Sequence, residues 1–136
     1  MGKRAPSVDL WLREAKAAEN AGQCGMYLVH SGTVRRTARA AVRDGAENAA
    51  PVTGMLFSFD AEKAARAVEE ARRMPGIFHV RVWLNEGRLA PGDDVMLALV
   101  GGDIRPHVVD ALQRLVETLK TQCVSEEELT GGSPAL

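Results

Sequence analysis

The eight residues Ile77-Phe78-His79-Val80-Arg81-Val82-Trp83-Leu84 constrain this chain more than any other stretch. Phe78, Val80, Val82 and Leu84 fall on one face, and Ile77, His79, Arg81 and Trp83 on the other, a period of two that reads as a half-buried strand. Such a strand needs neighbours in a sheet and a layer over its apolar face. The covering layer is written further along, where Val108, Val109, Leu112, Leu115, Val116 and Leu119 form the apolar stripe of an amphipathic helix. Pro106 suits the first turn of that helix.

Other segments fit around this pair. Residues 7–22 read as a short helix capped by Ser7 or Asp9 and ended by Gly22. Residues 24–32 read as a strand running into a Ser31-Gly32-Thr33 turn, and residues 52–59 as a second strand. Asp60 caps a helix that Pro75-Gly76 stops. Residues 87–100 read as a hairpin, a short and a longer strand joined at Pro91-Gly92-Asp93. Residues 36–51 carry no clean period and read as a mobile loop. The order helix, strand, strand, helix, strand, hairpin, helix specifies an α+β fold, a mixed, mainly antiparallel sheet with packed helices. One domain is expected over residues 1–130, with 131–136 as a flexible tail.

Composition narrows the function classes. With 136 residues, 46% of them apolar, the chain can bury a core without staples. Its 17 basic and 18 acidic residues leave a formal net charge of −1, which argues against a general nucleic-acid binder. Cys24 and Cys123 show neither ligand spacing nor a disulfide framework, and read as free thiols of a cytosolic protein. The amino-terminal residues lack the apolar core of a secretion signal, and no run approaches a membrane span, so a cytoplasmic location is expected. His30, His79 and His107 have no Cys or carboxylate at ligand spacing, so no metal site is expected. No Walker loop, dinucleotide fingerprint or nucleophile elbow appears, and no cofactor is implied.

Charge is unevenly spread, and that points to local anion sites. Arg35, Arg36, Arg39 and Arg43 crowd into nine positions after the first strand. Thr33, Val34 and Arg35 follow Gly32 in a turn whose backbone amides and guanidinium can hold a phosphate. Gly101 and Gly102 allow close backbone approach to a ligand, and Arg105 stands at a helix N-terminus that favours anions, with His107 one residue beyond Pro106. Lys120 ends the apolar helix. Each feature taken alone also fits a solvated loop, a glycine turn or a lysine complementing the helix dipole.

Taken in order, these segments resemble the large, catalytic subunit of molybdopterin synthase, the MoaE family. His30-Ser31-Gly32-Thr33-Val34-Arg35 is similar to the family's Phe-x-Gly-x-Val-Arg turn. Residues 87–100 are similar to its Gly-Glu-Leu-x-x-Gly-Asp hairpin, and residues 101–121 to its His-Arg segment, helix and Leu-Lys-Thr ending. The resemblance implies an α/β hammerhead fold, a homodimer, and a small ubiquitin-like sulfur-carrier partner with a C-terminal Gly-Gly thiocarboxylate. It implies sulfur transfer from that carrier to cyclic pyranopterin monophosphate. Residue by residue, Arg35 takes the place of the turn arginine, Arg105 that of the His-Arg arginine, and Lys120 that of the first functional lysine. Thr33, Val34, Arg39 and His107 join Arg35 and Arg105 as expected substrate-binding residues, with Lys120 as the expected catalytic residue.

Three departures bear on activity. Ile104 replaces the histidine of the His-Arg pair, His30 replaces the turn phenylalanine, and Glu127 stands where the family's second lysine is expected. Glutamate for lysine reverses the local charge at a site that handles an anion. A rebuilt synthase site and a non-catalytic relative binding a pterin or another phosphorylated metabolite both fit. A protein-interaction module is a third class, suggested superficially by Gly131-Gly132.

Overall fold

A computed structural model describes residues 2–45 and 49–131; of the expected tail, residues 132–136 lie outside the described residues. In chain order it contains α1 (Val8–Lys16), β1 (Met26–Thr33), α2 (Arg39–Arg43), β2 (Val52–Phe59), α3 (Ala61–Arg72), β3 (Ile77–Leu84), β4 (Gly87–Leu89), β5 (Asp94–Gly102), α4 (Arg105–Thr118) and β6 (Val124–Thr130). A 3₁₀ turn, Ala21–Gln23, follows α1, and a π-helical turn, Leu119–Cys123, follows α4. The α+β expectation holds, with the strands divided between two three-stranded sheets, β1-β5-β3 and β4-β2-β6, whose ladders are antiparallel.

The alternating stretch Ile77–Leu84 forms β3, an edge strand. β5 is the central strand of its sheet, and Val95 through Val100 are all buried, as a continuous apolar run covered on both faces requires. Met96, Ala98 and Val100 belong to the main core, with Val108, Ala111, Leu112 and Leu115 of α4 and Ala67 and Ala71 of α3. Leu97 and Leu99 point the other way, into a second cluster with Trp11 and Ala15 of α1 and Trp83 of β3. An irregularity between Ile77 and His79 shifts the register of β3, and Ile77 joins the main core with Val80 and Leu84 instead of following Trp83.

Caps follow the sequence where it was explicit. Ser7 Oγ accepts the Leu10 N–H at 3.2 Å, and Asp60 Oδ1 accepts that of Lys63 at 3.1 Å. Five readings need correction. The first helix, expected to run to Gly22, ends at Lys16, and Gly22 lies in the 3₁₀ turn that follows. Ser31, Gly32 and Thr33 continue β1 past a register irregularity, pairing with Leu97, Met96 and Asp94. Residues 36–51, read as loop, contain α2. The expected hairpin over 87–100 does not form: β4 pairs with β2 in one sheet, while β5 pairs with β1 and β3 in the other. β6 was missed because its Ser-Glu-Glu-Glu run offers no apolar alternation.

Asn85 is the buried polar hinge between these sheets. Its Oδ1 accepts from the N–H groups of Lys3 at 2.6 Å and Glu86 at 2.8 Å, and its Nδ2 donates to the carbonyls of Lys3 at 3.0 Å and Asp94 at 2.7 Å. It thereby ties the amino-terminal segment to the ends of β3 and β5. Asn85→Ala is expected to cost about 2 kcal/mol, because it strips several buried backbone groups of their partner at once. Urea unfolding of the two proteins checks this, the expectation being a lower midpoint with an unchanged slope.

Candidate functional site

Two segments far apart in sequence meet beside the end of β1. A cleft of about 90 Å³ is lined by His30, Thr33 and Arg35 from the first segment, Arg39 from α2, Lys120 from the π-helical turn, and Glu126 and Glu128 from β6. A more open groove of about 710 Å³ adjoins it, running along α4 past Leu112, Gln113 and Val116, with Arg43 on its wall. His30 and Lys120 line both.

Local structure explains how each side chain arrives. Val34 is buried; its N–H donates to the Asp93 carbonyl at 3.0 Å and its carbonyl accepts from Gly92 at 2.8 Å. It therefore anchors the turn that carries Thr33 and Arg35, and does not itself line the cleft. Arg35 is exposed, and its Nε donates to the Thr37 carbonyl at 3.3 Å. Leu119 and Cys123 are buried on either side of the π-helical turn, which leaves Lys120 exposed between them at the mouth of the cleft.

Arg105 and His107 stand apart from this cluster. Arg105 is the first residue of α4 and is exposed, beside the exposed Ile104. His107 Nδ1 lies 2.7 Å from Asp103 Oδ1, and this hydrogen bond is the main influence holding the Asp103 carboxyl below its ordinary range. Gly101 and Gly102 do not open the backbone to a ligand. A Cβ on Gly101 would lie 2.7 Å from the Tyr27 ring, and one on Gly102 2.5 Å from the Gly76 carbonyl. These glycines permit close packing within the fold.

Glu127 also departs from expectation. It faces the opposite side of β6, lining a separate depression with Leu56, Ser58 and Arg88. The carboxylates that reach the cleft belong to Glu126 and Glu128, two residues apart on a strand and hence on its other face. Three consecutive glutamates carry no signal of which of them face the cleft; only the strand geometry of β6 separates Glu126 and Glu128 from Glu127. Arg39 Nη2 pairs with Glu126 at 2.5 Å, and the Arg39 N–H donates to Glu128 at 3.1 Å. The cleft therefore presents three cationic side chains, Arg35, Arg39 and Lys120, against two carboxylates. Among the described residues, no three His, Cys, Asp or Glu side chains are grouped to hold a metal ion, and no helix is long and apolar enough to cross a membrane.

His30 lies where burial, and then the Lys120 cation, pushes an imidazole below its ordinary value. His79 is lowered too, first by burial and then by Arg72 and Arg81, and among the described residues its Nε2 is buried without a hydrogen-bond partner. Both rings are thus neutral at pH 7 in the folded chain. Because the unfolded chain binds their protons at about pH 6.5, stability is fully present above that value and falls as the pH drops from there toward the lowered folded values. His79→Gln is expected to flatten this acid limb of stability against pH. Urea midpoints between pH 7.5 and pH 5 (a range of about 2.5 units) test it, and an unchanged limb would exclude His79 as a contributor.

The comparisons with known proteins agree with the fold. The chain matches the MoaE protein family over residues 7–122. Its structure is similar to molybdopterin synthase from Staphylococcus aureus, with a TM-score of 0.72 and 18% identity over 96% of this chain and 90% of that one. It is similar to the molybdopterin biosynthesis MoaE protein from Burkholderia ambifaria, with a TM-score of 0.69 and 18% identity over 98% and 88% of the two chains. A chain from the complex of subunits 1 and 2 of the molybdopterin-converting factor of Helicobacter pylori matches with a TM-score of 0.66 and 15% identity, over 96% and 84%. No curated protein sequence matches the chain. The family match spans most of the chain and includes the β1 end, α4 and Lys120, so this protein belongs to the MoaE family and its general role is in molybdenum cofactor biosynthesis.

Proposed function

We propose that this protein is a cytoplasmic sulfurtransferase subunit that moves sulfur from a thiocarboxylated, ubiquitin-like carrier to cyclic pyranopterin monophosphate. The observation that carries the reading is the meeting of Lys120 with Arg35 and Arg39 in one cleft, although the sequence separates them by more than eighty residues. Arg35, Arg39 and Thr33 would bind the phosphate, the guanidinium groups through charge-assisted hydrogen bonds. The Lys120 ammonium would stabilise negative charge building on the acyl-thio adduct and assist proton transfer. The adjoining groove, open along α4, gives an extended carrier terminus a route to Lys120. The Helicobacter pylori relative is itself a two-subunit complex, which fits a carrier partner here. Arg105 would serve the site across a homodimer interface.

A second reading is favoured by a specific observation. Glu126 and Glu128 in the cleft and Ile104 beside Arg105 are consistent with a non-catalytic relative that binds a pterin or another phosphorylated metabolite. Mixing the protein with a thiocarboxylated carrier and cyclic pyranopterin monophosphate separates the two. Molybdopterin as product supports the enzyme; pterin binding without product supports the binding protein. A carrier complex with neither would support an interaction module.

A further inference from the structure

Two carboxylates sit where the fold should have put apolar side chains. β6 is an edge strand whose Glu126 and Glu128 pair across the ladder with Phe57 and Met55, both buried residues of the main core. Side chains of directly paired residues share a face, so these glutamates lie on the inner side of the sheet. A charge there is costly unless it is paired and hydrogen-bonded. Glu126 retains only 14% of its side-chain exposure.

Both carboxylates converge on one residue. Glu126 takes the side chain of Arg39 through Nη2, and Glu128 takes the Arg39 main-chain N–H. The contacts join positions 87 and 89 residues apart in the chain. The ion pairs Arg72–Glu69 and Arg81–Glu14 differ in kind, since each of their four side chains is close to half exposed. Among the described residues, Arg39 Nε and Nη1 have no protein partner, so the fixed guanidinium keeps donors for a ligand.

We infer that Glu126 and Glu128 are positioning residues, which hold Arg39 as a fixed second cation in the cleft it shares with Lys120. This deepens the sulfurtransferase reading and rests on the cleft being its site. The cation beside Lys120 thus comes from α2, and β6 supplies its support. A clamped guanidinium loses little freedom on meeting a phosphate, whereas an arginine on an unsupported loop must be ordered first.

The inference makes a prediction whose sign is opposite to that of simple charge. Removing a carboxylate from an anion site should tighten anion binding if the carboxylate acts only through its charge. If it positions Arg39, Glu126→Gln should weaken binding. The test is a titration of the full-length protein with inorganic phosphate, followed by the NMR signals of the Arg39 Nε–H and the Lys120 ammonium. In the native protein phosphate is expected to shift the Arg39 signal, and Glu126→Gln to weaken the affinity about fivefold. In an Arg39→Ala background the same Glu126→Gln change is expected to tighten binding, because only its charge then matters. Glu128→Ala, which removes the acceptor of the Arg39 main-chain N–H, should weaken binding in the same direction and serves if Glu126→Gln folds poorly. Tighter binding on Glu126→Gln in both backgrounds would overturn the inference, as would an Arg39 signal indifferent to phosphate. Molybdopterin formation by the native protein is assayed separately. If the phosphate cycle behaves as expected and no molybdopterin forms, the sulfurtransferase reading fails and the positioning role stands.

Discussion

Lys120→Ala is expected to lower molybdopterin formation by about 10²–10³-fold, the loss that follows removal of one preorganised donor from a developing charge, about 2.7–4 kcal/mol. Among the described residues Lys120 supplies the cleft's sole amine, and it borders both the cleft and the open groove. A guanidinium is a poor proton donor and cannot take over an ammonium's part in proton transfer. Lys120→Arg should therefore restore phosphate binding more fully than turnover. Lys120 is exposed, so the unfolding midpoint should hardly move, and single-turnover kinetics should register a change in chemistry and not in folding. Glu127→Lys provides the contrasting case. The family resemblance would make it the change that restores a missing lysine, yet Glu127 lies with Arg88 and Ser58 on the far side of β6. It is expected to leave the rate within about twofold, as surface substitutions away from a site usually do. A large gain from Glu127→Lys would mean that β6 adopts another register in solution, since a one-residue slip would turn that side chain into the cleft.

The parts legible in the sequence were those where one local rule acts alone. The α4 stripe, the Asp60 cap and the continuous apolar run of β5 each answer to a single periodicity or a single hydrogen bond. The failures arose where tertiary partners override local pattern. β4 looks like the first arm of a hairpin because Pro91-Gly92-Asp93 is a good turn, but its edge is taken by β2. β6 reads as an acidic run with no strand pattern because the residue that binds two of its glutamates, one through its guanidinium and one through its main-chain N–H, lies in a segment that carries no period of its own. The same missing contact hid α2, whose first N–H is capped from β6 and not by a neighbouring side chain. In the site, Arg35 and Lys120 were legible through the family resemblance and Arg39 as part of the arginine run. Glu126 and Glu128 were not, because their role exists only when α2 and β6 are brought together.

Mixing Arg105→Ala subunits with Lys120→Ala subunits is expected to regenerate activity that neither variant has alone. Helix arithmetic gives the reason. Fifteen positions of helical chain separate the two residues, roughly 22 Å of backbone at about 1.5 Å per residue. The groove beside Lys120 extends along α4 only as far as Leu112, and Arg105 lines neither it nor the cleft. One small phosphorylated ligand therefore cannot touch both residues of a single chain. An isologous two-fold dimer removes the difficulty, because each helix start then meets the partner's helix end and two equivalent sites form. In a heterodimer of the two variants, one site would combine the intact Lys120 of the first chain with the intact Arg105 of the second, and the other site would lack both. Random reassortment of equal amounts makes half of the dimers mixed, so activity should recover to about a quarter of the native value. If both residues instead served a site within one chain, every site in the mixture would carry a lesion and nothing would return. Purified heterodimers bearing different affinity tags make the comparison direct: their failure to recover would exclude a site shared between subunits, whereas native activity in Arg105→Ala alone would remove Arg105 from the site and leave the Lys120 cleft untouched.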